Sequence, residues 1–457
     1  MSALLGTPSP RLADIRPCLE GAVPAVMATC APDGTPNVAY ISQVFYVDER
    51  HVALSFQFFN KTRQNILANP VANVLVMHPL TAAFFRLHIR YLRTETEGPV
   101  FEAMKAQLAG IASHSGMAAV FRLLGSDIYE VRSIECVAGE ALPAPPARAS
   151  RVTRLRRASE QIARCTALDE LLNTTLSAMT ALLETRHAMV LLLDAAARRL
   201  YTVASTGYSA SGVGSEIAMG DGVIGMAARE RVPVRIMHMT NAYSYHQAIR
   251  HRLQGDGHAE CVAMETDIPY PGLQTPHSQL AVPMVSAGQL MGVLFAESTE
   301  DLHFDFEAED LMVALAHHVA AAVDSLQSGS DPADTTEPAP GRKDSAASKG
   351  TALQVRYFAA SSSVFIGDTY LIKGVAGAIF WKLVTDCQQH GRTEFSNREL
   401  RLDAAIRLPD VTDNLEARLL LLQRRLAEHG PDVRIEKTGR GRFRLALTRP
   451  LVLQALA

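Results

Sequence analysis

The sequence predicts a multidomain α+β protein that contains three folded units. Its 457 residues exceed one ordinary hydrophobic core and 48% of them are apolar, so about three domains of roughly 100 to 200 residues are expected. Two segments have compositions typical of flexible linkers, residues 141–150 and 328–350, because neither has enough apolar side chains to offset the entropy of ordering. They separate three blocks, residues 1–140, 151–327 and 351–457.

Cysteine usage and charge narrow the class of protein. The six cysteines are scattered and form no CxxC pair, which favours reduced thiols over a disulfide scaffold or a four-thiolate metal site. No stretch reaches about 18 uninterrupted apolar residues, and the N-terminus has no basic segment followed by a long apolar run. We therefore expect a cytoplasmic protein that does not associate with membranes. The last block carries 16 Lys+Arg against 11 Asp+Glu, which predicts an anionic partner for that block.

The first block alternates short apolar runs with turn signals. The runs from "GAVPAVMATC" to "FRLHIRYLRTETEG" predict the strands of a meandering antiparallel sheet. Two segments between them, "NKTRQNILANP" and "PVFEAMKAQLAGIASH", predict helices. The expected product is a small split barrel with helices on its flank.

Residues 44–76 carry a family resemblance, because a strand pair leads there into a helix that ends at Asn69 and Pro70. This arrangement resembles the flavin-binding split barrel of the pyridoxamine phosphate oxidases. The resemblance implies FMN as the cofactor. The residues that would contact its phosphate are Ser55, Lys61, Thr62 and Arg63.

The block departs from the oxidases at the positions that carry charge. A flavin phosphate needs cations and polar donors around it. In the oxidases, two strand positions and two positions at the helix entrance hold cations. In this sequence the strand positions are Tyr40 and Phe45, and one of the two helix-entrance positions is Thr62. Three alternatives therefore stay open: FMN binding, a structural barrel without a cofactor, and haem or another flat ligand.

The second block opens and closes with helical periodicity. Leu172, Leu176, Met179 and Leu183 share one helical face, and Thr166 with Asp169 predicts a capping box before them. Strand-like runs follow, and the last of them, "QLAVPMVSAGQLMGVLFAES", is expected to be a hairpin that turns at "SAGQ". Helices that bracket an antiparallel sheet predict an α+β module.

Three stretches of this block resemble the GAF domain family, in the family's order: residues 220–236, residues 278–298 and "FEAEDLMVALAHHVAAAV". The glycines of the first stretch predict a tight turn into a helix rather than a phosphate loop. The resemblance implies a small-molecule ligand and frequent dimerisation. The family's variable ligand-facing region is long here and contains imidazole and thiolate groups, which suit a transition metal or haem iron. The candidate ligands are His246, His251, His258, Cys261 and His277, and ordinary loop histidines are the alternative.

The third block predicts short strands, then three helices, then a strand pair. Ser396 with Glu399 forms a capping box for the second helix, and the strand pair turns at Gly439 and Gly441. This order resembles the winged-helix effector domain of OmpR-type response regulators. The resemblance implies double-stranded DNA as a partner.

The third helix of this block sets four leucines among arginines, "LEARLLLLQRR". Leu420 and Leu421 fall on the side that lies in the major groove in the resembled family. A leucine cannot hydrogen-bond a base edge, so these two indicate either reduced base reading or packing against a partner subunit or another domain. The candidate DNA contacts are Arg418, Arg424, Arg425, Lys437, Arg440, Arg442 and Arg444.

Taken together, these patterns predict a ligand- or redox-responsive transcription regulator. Sensing would involve the GAF-like block, the barrel-like block or both, and DNA binding would use the third block. Resemblance predicts a homodimer, which suits paired DNA half-sites. The alternatives are an FMN- or haem-dependent oxidoreductase with a regulatory GAF domain, and a sensor that acts through protein contacts. The sequence contains no paired carboxylates, nucleophile triad or metalloprotease motif that would favour an enzyme.

Overall fold

A computed structural model describes most of the chain in three units. The residues described are 10–19, 23–56, 60–114, 123–143, 151–237, 268–328, 352–403, 406, 415–439 and 441–456. The middle unit contacts the two others. Among the helices of these residues, none is long and apolar enough to cross a bilayer.

The first unit is a seven-stranded antiparallel sheet with the strand order β2-β1-β5-β6-β7-β4-β3. Its strands are β1 (Ala25–Cys30), β2 (Pro36–Ile41), β3 (Val44–Tyr46), β4 (His51–Phe56), β5 (Val71–Met77), β6 (Phe84–Glu95) and β7 (Gly125–Cys136). The helices are α1 (Asn60–Ala68), α2 (Pro99–His114) and a 3-10 helix at Leu12–Leu19. Val74, Leu87 and Ile89 are among the buried residues that form the core of this unit. The predicted sheet and both flanking helices are confirmed.

The middle unit is a six-stranded antiparallel sheet with the order β10-β9-β8-β13-β12-β11. Its strands are β8 (His187–Asp194), β9 (Arg199–Thr206), β10 (Glu216–Ala218), β11 (Val234–Ile236), β12 (Ser278–Ser286) and β13 (Gln289–Ser298). Its helices are α3 (Val152–Ile162), α4 (Leu168–Leu183), α5 (Gly222–Glu230) and α6 (Phe306–Ser328). Helices α4 and α6 pack on one face of the sheet and α5 packs on the other.

Local predictions for the middle unit are partly right. Ser286 pairs with Gln289 across the β12–β13 turn, which confirms the hairpin, and α5 begins after a turn at Gly220, whose φ is 100°. The prediction of a capping box before α4 is wrong. The N-cap is Ala167, and the amide of Thr166 instead donates to Glu170 at 3.1 Å.

The third unit has two small sheets with helices between them. A four-stranded sheet has the order β16-β15-β14-β20, and a three-stranded sheet has the order β17-β19-β18. The strands are β14 (Leu353–Phe358), β15 (Ser363–Ile366), β16 (Thr369–Ile372), β17 (Glu394–Ser396), β18 (Val433–Gly439), β19 (Arg442–Leu447) and β20 (Leu451–Leu456). The helices are α7 (Gly374–His390), α8 (Asn397–Leu402) and α9 (Leu415–His429).

Two local predictions for the third unit are confirmed, and the final strand was not predicted. Ser396 and Glu399 form the capping box of α8, and Gly439 pairs with Arg442 at the turn of the β18–β19 hairpin. Strand β20 joins the four-stranded sheet parallel to β14. Helix α7 is tied to the same sheet by Trp381, whose ring stacks on Tyr357 with a centroid distance of 4.8 Å.

The barrel and the middle unit share an interface. Helix α2 packs on α5, and Ala106 joins the apolar cluster around α5. The guanidinium of Arg16 lies 4.4 Å from the ring centroid of Phe306 at the start of α6 and 4.9 Å from that of Tyr46 in the barrel. A cation between two aromatic faces adds attraction to this interface.

We expect Gly292→Ala to destabilise the middle unit. A Cβ at Gly292 would lie 2.0 Å from the Leu191 carbonyl oxygen on β8, so the strands would have to separate. Overpacking of this kind costs about 1 to 3 kcal/mol of unfolding free energy, measurable by denaturant unfolding. Gly139→Ala is the matched control, because no atom lies within 4 Å of its added Cβ and a change within about 0.5 kcal/mol is expected. Equal stabilities of the two variants would contradict this expectation.

Candidate functional site

Three of the four predicted phosphate contacts meet in one cleft of the barrel. Ser55 on β4 and Thr62 and Arg63 in the first turn of α1 line it together with Asp127 on β7. Lys61 is exposed and is not among the residues that line the cleft. The structure therefore brings together three of the predicted residues and leaves the fourth on the surface.

The cation of this cleft is already paired within the protein. The guanidinium of Arg63 donates to the Asp127 carboxylate and, at 2.7 Å, to the Thr94 hydroxyl. Thr94 in turn donates to Asp127 at 2.6 Å, and the guanidinium of Arg63 lies 4.6 Å from the Phe56 ring centroid. The positive charge that could attract a phosphate is therefore neutralised by a carboxylate on strand β7.

The other polar groups in the cleft and next to it differ in whether they have hydrogen-bond partners. Thr62 accepts a hydrogen bond of 2.9 Å from Asn37. The hydroxyls of Ser55 and Ser126, which face each other across β4 and β7, and the side-chain oxygen of Gln43 have no hydrogen-bond partner among the described residues. All three side chains are more than nine-tenths buried. These groups suit a small polar species such as water.

In this structure the described residues that line the cleft offer no unpaired cation to the phosphate of FMN. Its cavity is about 20 Å³, which is room for about one water molecule. A phosphate needs unpaired cations and donors, whereas Asp127 would face it with a like charge. Sequence reasoning missed Asp127 because the residue lies 64 positions from Arg63. The only signal for it is an acid within the first part of β7, where the neighbouring residues are buried.

A second polar site lies in the middle unit, around Glu297 on β13. Its side chain is fully buried, and its two carboxylate oxygens accept hydrogen bonds from the Leu273 amide at 2.8 Å and from Gln279 at 3.0 Å. Burial raises the pKa of Glu297. The Tyr208 hydroxyl is buried beside it, and burial together with the Glu297 charge raises the pKa of Tyr208. The carboxylate thus fastens residues 268–277 to the sheet.

Most of the predicted metal or haem ligands cannot be placed. His246, His251, His258 and Cys261 lie outside the described residues. His277 is described, and its ring nitrogen lies 3.4 Å from the Asp301 carboxylate. Within the described ranges, no group of three or more His, Cys, Asp or Glu side chains could hold a metal ion. The metal interpretation therefore stays a prediction for those residues.

The third predicted site, the outward side of α9, is covered by the middle unit. Leu420 and Leu421 are only 8% and 4% exposed. Arg418 donates to Asp194 at the end of β8 at 2.6 Å, and its guanidinium lies 4.6 Å from the ring centroid of Tyr201 on β9. Packing against another domain of the same chain, one of the alternatives for the outward leucines, is confirmed.

The other two arginines of α9 are also engaged. Arg424 donates to the Asp169 carboxylate on α4 at 2.5 Å and to the Val203 carbonyl at 2.7 Å. Arg425 donates to the Leu371 carbonyl at 3.1 Å and to Glu428 at 2.7 Å. All three predicted helix residues are therefore bound to protein oxygens in this structure, two of them to the middle unit.

The basic hairpin differs from α9, because its cationic side chains face solvent. Arg442 and Arg444 alternate on the exposed side of β19, and Lys437 is exposed on β18. Arg444 also pairs with Glu436 at 2.6 Å. Arg440 lies outside the described residues. The predicted DNA contacts thus separate into a helix set that is bound to protein oxygens and an exposed hairpin set.

Comparison with protein-family models identifies two of the three units. The model for pyridoxamine 5'-phosphate oxidase matches residues 12–134 and the model for the GAF domain matches residues 165–324. The chain therefore contains an oxidase-like N-terminal domain and a GAF domain, the domain classes of a sensory regulatory protein. Neither model extends beyond residue 324. No curated protein matches the chain.

Solved structures resemble single units of the chain at low identity. The GAF domain of an Acinetobacter phosphoenolpyruvate-protein phosphotransferase is 20% identical, with a TM-score of 0.31, and covers 40% of this chain and 98% of its own. A free methionine-R-sulfoxide reductase from Neisseria meningitidis is 19% identical, with a TM-score of 0.31, and covers 40% and 98%. An FMN-binding protein from Syntrophomonas wolfei is 16% identical, with a TM-score of 0.25, and covers 28% and 86%.

Replacement of Asp127 should expose the charge of Arg63. Asp127→Ala leaves a mostly buried guanidinium without its carboxylate, so we expect a decrease of about 2 to 4 kcal/mol in unfolding free energy. Inorganic phosphate should raise the calorimetric transition temperature of this variant, because an anion can occupy the vacated space. Wild-type protein should show no such rise and should leave FMN fluorescence unchanged. Glu130→Gln, which removes an exposed partner of Arg132, is the control. Equal stabilisation of wild type and Asp127→Ala by phosphate would show that the carboxylate does not occupy the anion position.

Glu297 should make the stability of the GAF domain depend on pH. Burial raises the pKa of Glu297 above the ordinary 4.5. The stabilising contribution of this side chain to the unfolding free energy is therefore fully present below pH 4.5 and is lost as pH rises through the raised pKa. The unfolding free energy of wild type should therefore fall relative to that of Glu297→Gln as pH rises, by at most about 1.4 kcal/mol per pH unit. Denaturant unfolding from pH 4 upward measures the difference. The surface variant Glu160→Gln is measured over the same range as the control, and a constant difference for Glu297→Gln would refute the prediction.

Proposed function

We propose that the protein is a ligand-responsive regulator that binds DNA. In this proposal the GAF domain receives the signal, and the third unit is a winged helix-turn-helix domain that contacts double-stranded DNA. The observation that carries the proposal is the exposed basic hairpin next to a helix pair.

The order of elements in the third unit suits DNA binding. Helices α8 and α9 follow one another and are succeeded by the β18–β19 hairpin, which corresponds to a helix-turn-helix followed by a wing. The exposed cations of the hairpin are Arg434, Lys437, Arg442 and Arg444. Long cationic side chains on one small hairpin can reach several phosphates, and such contacts supply most of the sequence-independent affinity for DNA.

The signal is proposed to be a small molecule received near Glu297. The buried carboxylate, Gln279 and Tyr208 supply polar groups beneath residues 268–277, which Glu297 fastens to the sheet. A few polar groups in an apolar surrounding are typical of small-molecule sites. A ligand that competes for the carboxylate would release this segment.

The barrel is proposed to be a structural and dimerising domain rather than a flavin carrier. The Arg63–Asp127 pair takes the place of the cofactor phosphate. The outer face of edge strand β2 exposes Val38 and Tyr40 at 66% and 74%. Apolar side chains on an open sheet edge are unfavourable in water, so a second copy of the chain is the proposed cover.

A sensor that acts only through protein contacts is the second candidate. The burial of Leu420 and Leu421 favours it, because the surface that would read bases is used inside the chain. An oxidoreductase has less support, since the barrel cleft has no room for a flavin phosphate.

DNA binding should be weak and strongly dependent on salt. In a fluorescence anisotropy titration with a labelled mixed-sequence duplex, the logarithm of the affinity should fall linearly with that of the salt concentration. The double variant Arg442→Ala/Arg444→Ala should reduce the slope by about 0.9 for each phosphate that is no longer neutralised. Arg132→Ala on the barrel is the control and should leave the slope unchanged. A flat slope, or no binding at low salt, would rule out DNA as the partner.

A further inference from the structure

The GAF domain presents carboxylates to the side of α9 that carries arginines. Arg418 meets Asp194 and Arg424 meets Asp169. These two arginines are separated by six positions, which is about 9 Å along a helix. Between them, Leu420 and Leu421 are buried. Two anionic groups spaced along an apolar surface therefore bind the same side chains that would contact two phosphates.

We infer that this GAF surface, formed by Asp169, Asn173, Asp194, Tyr201 and residues 211–214, is a docking surface for α9 that competes with DNA. The inference rests on the proposed function for its DNA half. Docking and DNA contact by α9 use one face of one helix, so these two exclude each other, whereas the exposed hairpin stays available for phosphates. The structure described here is then the state that does not read DNA through α9.

The Arg418–Asp194 pair is the central contact of the docking surface. Its two side chains are 8% and 20% exposed, so water and salt screen it little. The ring of Tyr201 adds a cation–π contact to the same guanidinium. Asp169 is 56% exposed in its pair with Arg424, so this pair lies at the rim and contributes less.

The apolar part of the interface is continuous with the cores on both sides. Leu420 and Leu421 belong to one buried cluster that includes Val203 and Val213 of the GAF domain and Phe380 of the third unit. A crevice of about 800 Å³ opens at the edge of this interface. The interface therefore combines an apolar centre with an open margin.

The loop of residues 211–214 connects the docking surface to the segment held by Glu297. A Cβ at Gly214 would lie 2.6 Å from Ile268 on one side and 3.7 Å from Leu421 on the other. The loop is therefore packed between α9 and residues 268–273, and the absence of a side chain at Gly214 permits this. Ser211 also donates a hydrogen bond to Glu428 of α9.

This packing gives ligand binding a physical route to α9. Glu297 holds the Leu273 amide, and residues 268–273 support the loop that supports α9. A ligand that displaces this segment removes support from the docking surface. Release of α9 would then be coupled to occupation of the GAF domain through this series of packed elements.

The test is the double variant Asp169→Asn/Asp194→Asn in the full chain. Removal of both carboxylates should tighten binding to a mixed-sequence duplex by about tenfold or more, because the fraction of chains with α9 released increases. Hydrogen exchange should show faster exchange of α9 amides in the variant. The matched control is Glu160→Gln/Glu184→Gln, which removes two other surface carboxylates of the GAF domain and corrects for the change in net charge.

The outcomes separate the docking inference from the proposed function. Tighter DNA binding than the control, together with faster exchange of α9, supports competition. DNA affinity equal to that of the control, with binding still measurable, overturns the docking inference and leaves the proposed function standing. If α9 exchanges faster in the variant but neither the variant nor wild type binds DNA at low salt, the proposed function is overturned. Asp194→Lys, which reverses the charge opposite Arg418, should increase the affinity further, and no increase would overturn the inference.

Discussion

A guanidinium group that leaves water needs an oxygen acceptor with negative charge beside it, and this requirement organises all three units. Arg63 satisfies it inside the barrel with Asp127. Arg235 satisfies it inside the GAF domain with Glu309 at 2.7 Å, which ties β11 to α6. Arg418 satisfies it across two domains with Asp194. Removing one member of such a pair lowers the unfolding free energy by more than the intact pair contributes to it, because the other charge stays buried.

The location of these pairs separates the fold of the barrel from the charge balance of its cleft. Sheet pairing and apolar burial determine the fold, and Val74, Leu87 and Ile89 are part of its apolar core. The charge balance of the cleft is a separate matter, since a carboxylate on a neighbouring strand can replace a phosphate. Fold and function can therefore diverge within one domain. The same logic applies to α9, where aspartates of the GAF domain take the place proposed for phosphates of DNA.

Local features could be predicted from the sequence, and long-range partners could not. The Ser396–Glu399 capping box and the hairpin turn at Gly439 depend on residues a few positions apart, whose geometry follows from residue type. The partner of Arg418 lies 224 positions away, and nothing in either segment specifies the other. Leu420 and Leu421 are an intermediate case for prediction. Their apolar character on a helix face expected to be polar indicated a second contact but did not identify the partner. The capping box before α4 was wrong because Glu170, one residue beyond Asp169, takes the Thr166 amide, while Asp169 receives Arg424.

The stack of Trp381 on Tyr357 gives the third unit an optical property of its own. The chain has a single tryptophan, and it lies in α7 beside β14. Indole emission of the intact protein therefore originates from the third unit alone, free of tryptophan signal from the barrel or the GAF domain. The protein therefore carries its own fluorescent reporter in the third unit, and a change in the surroundings of this unit can be followed without a label.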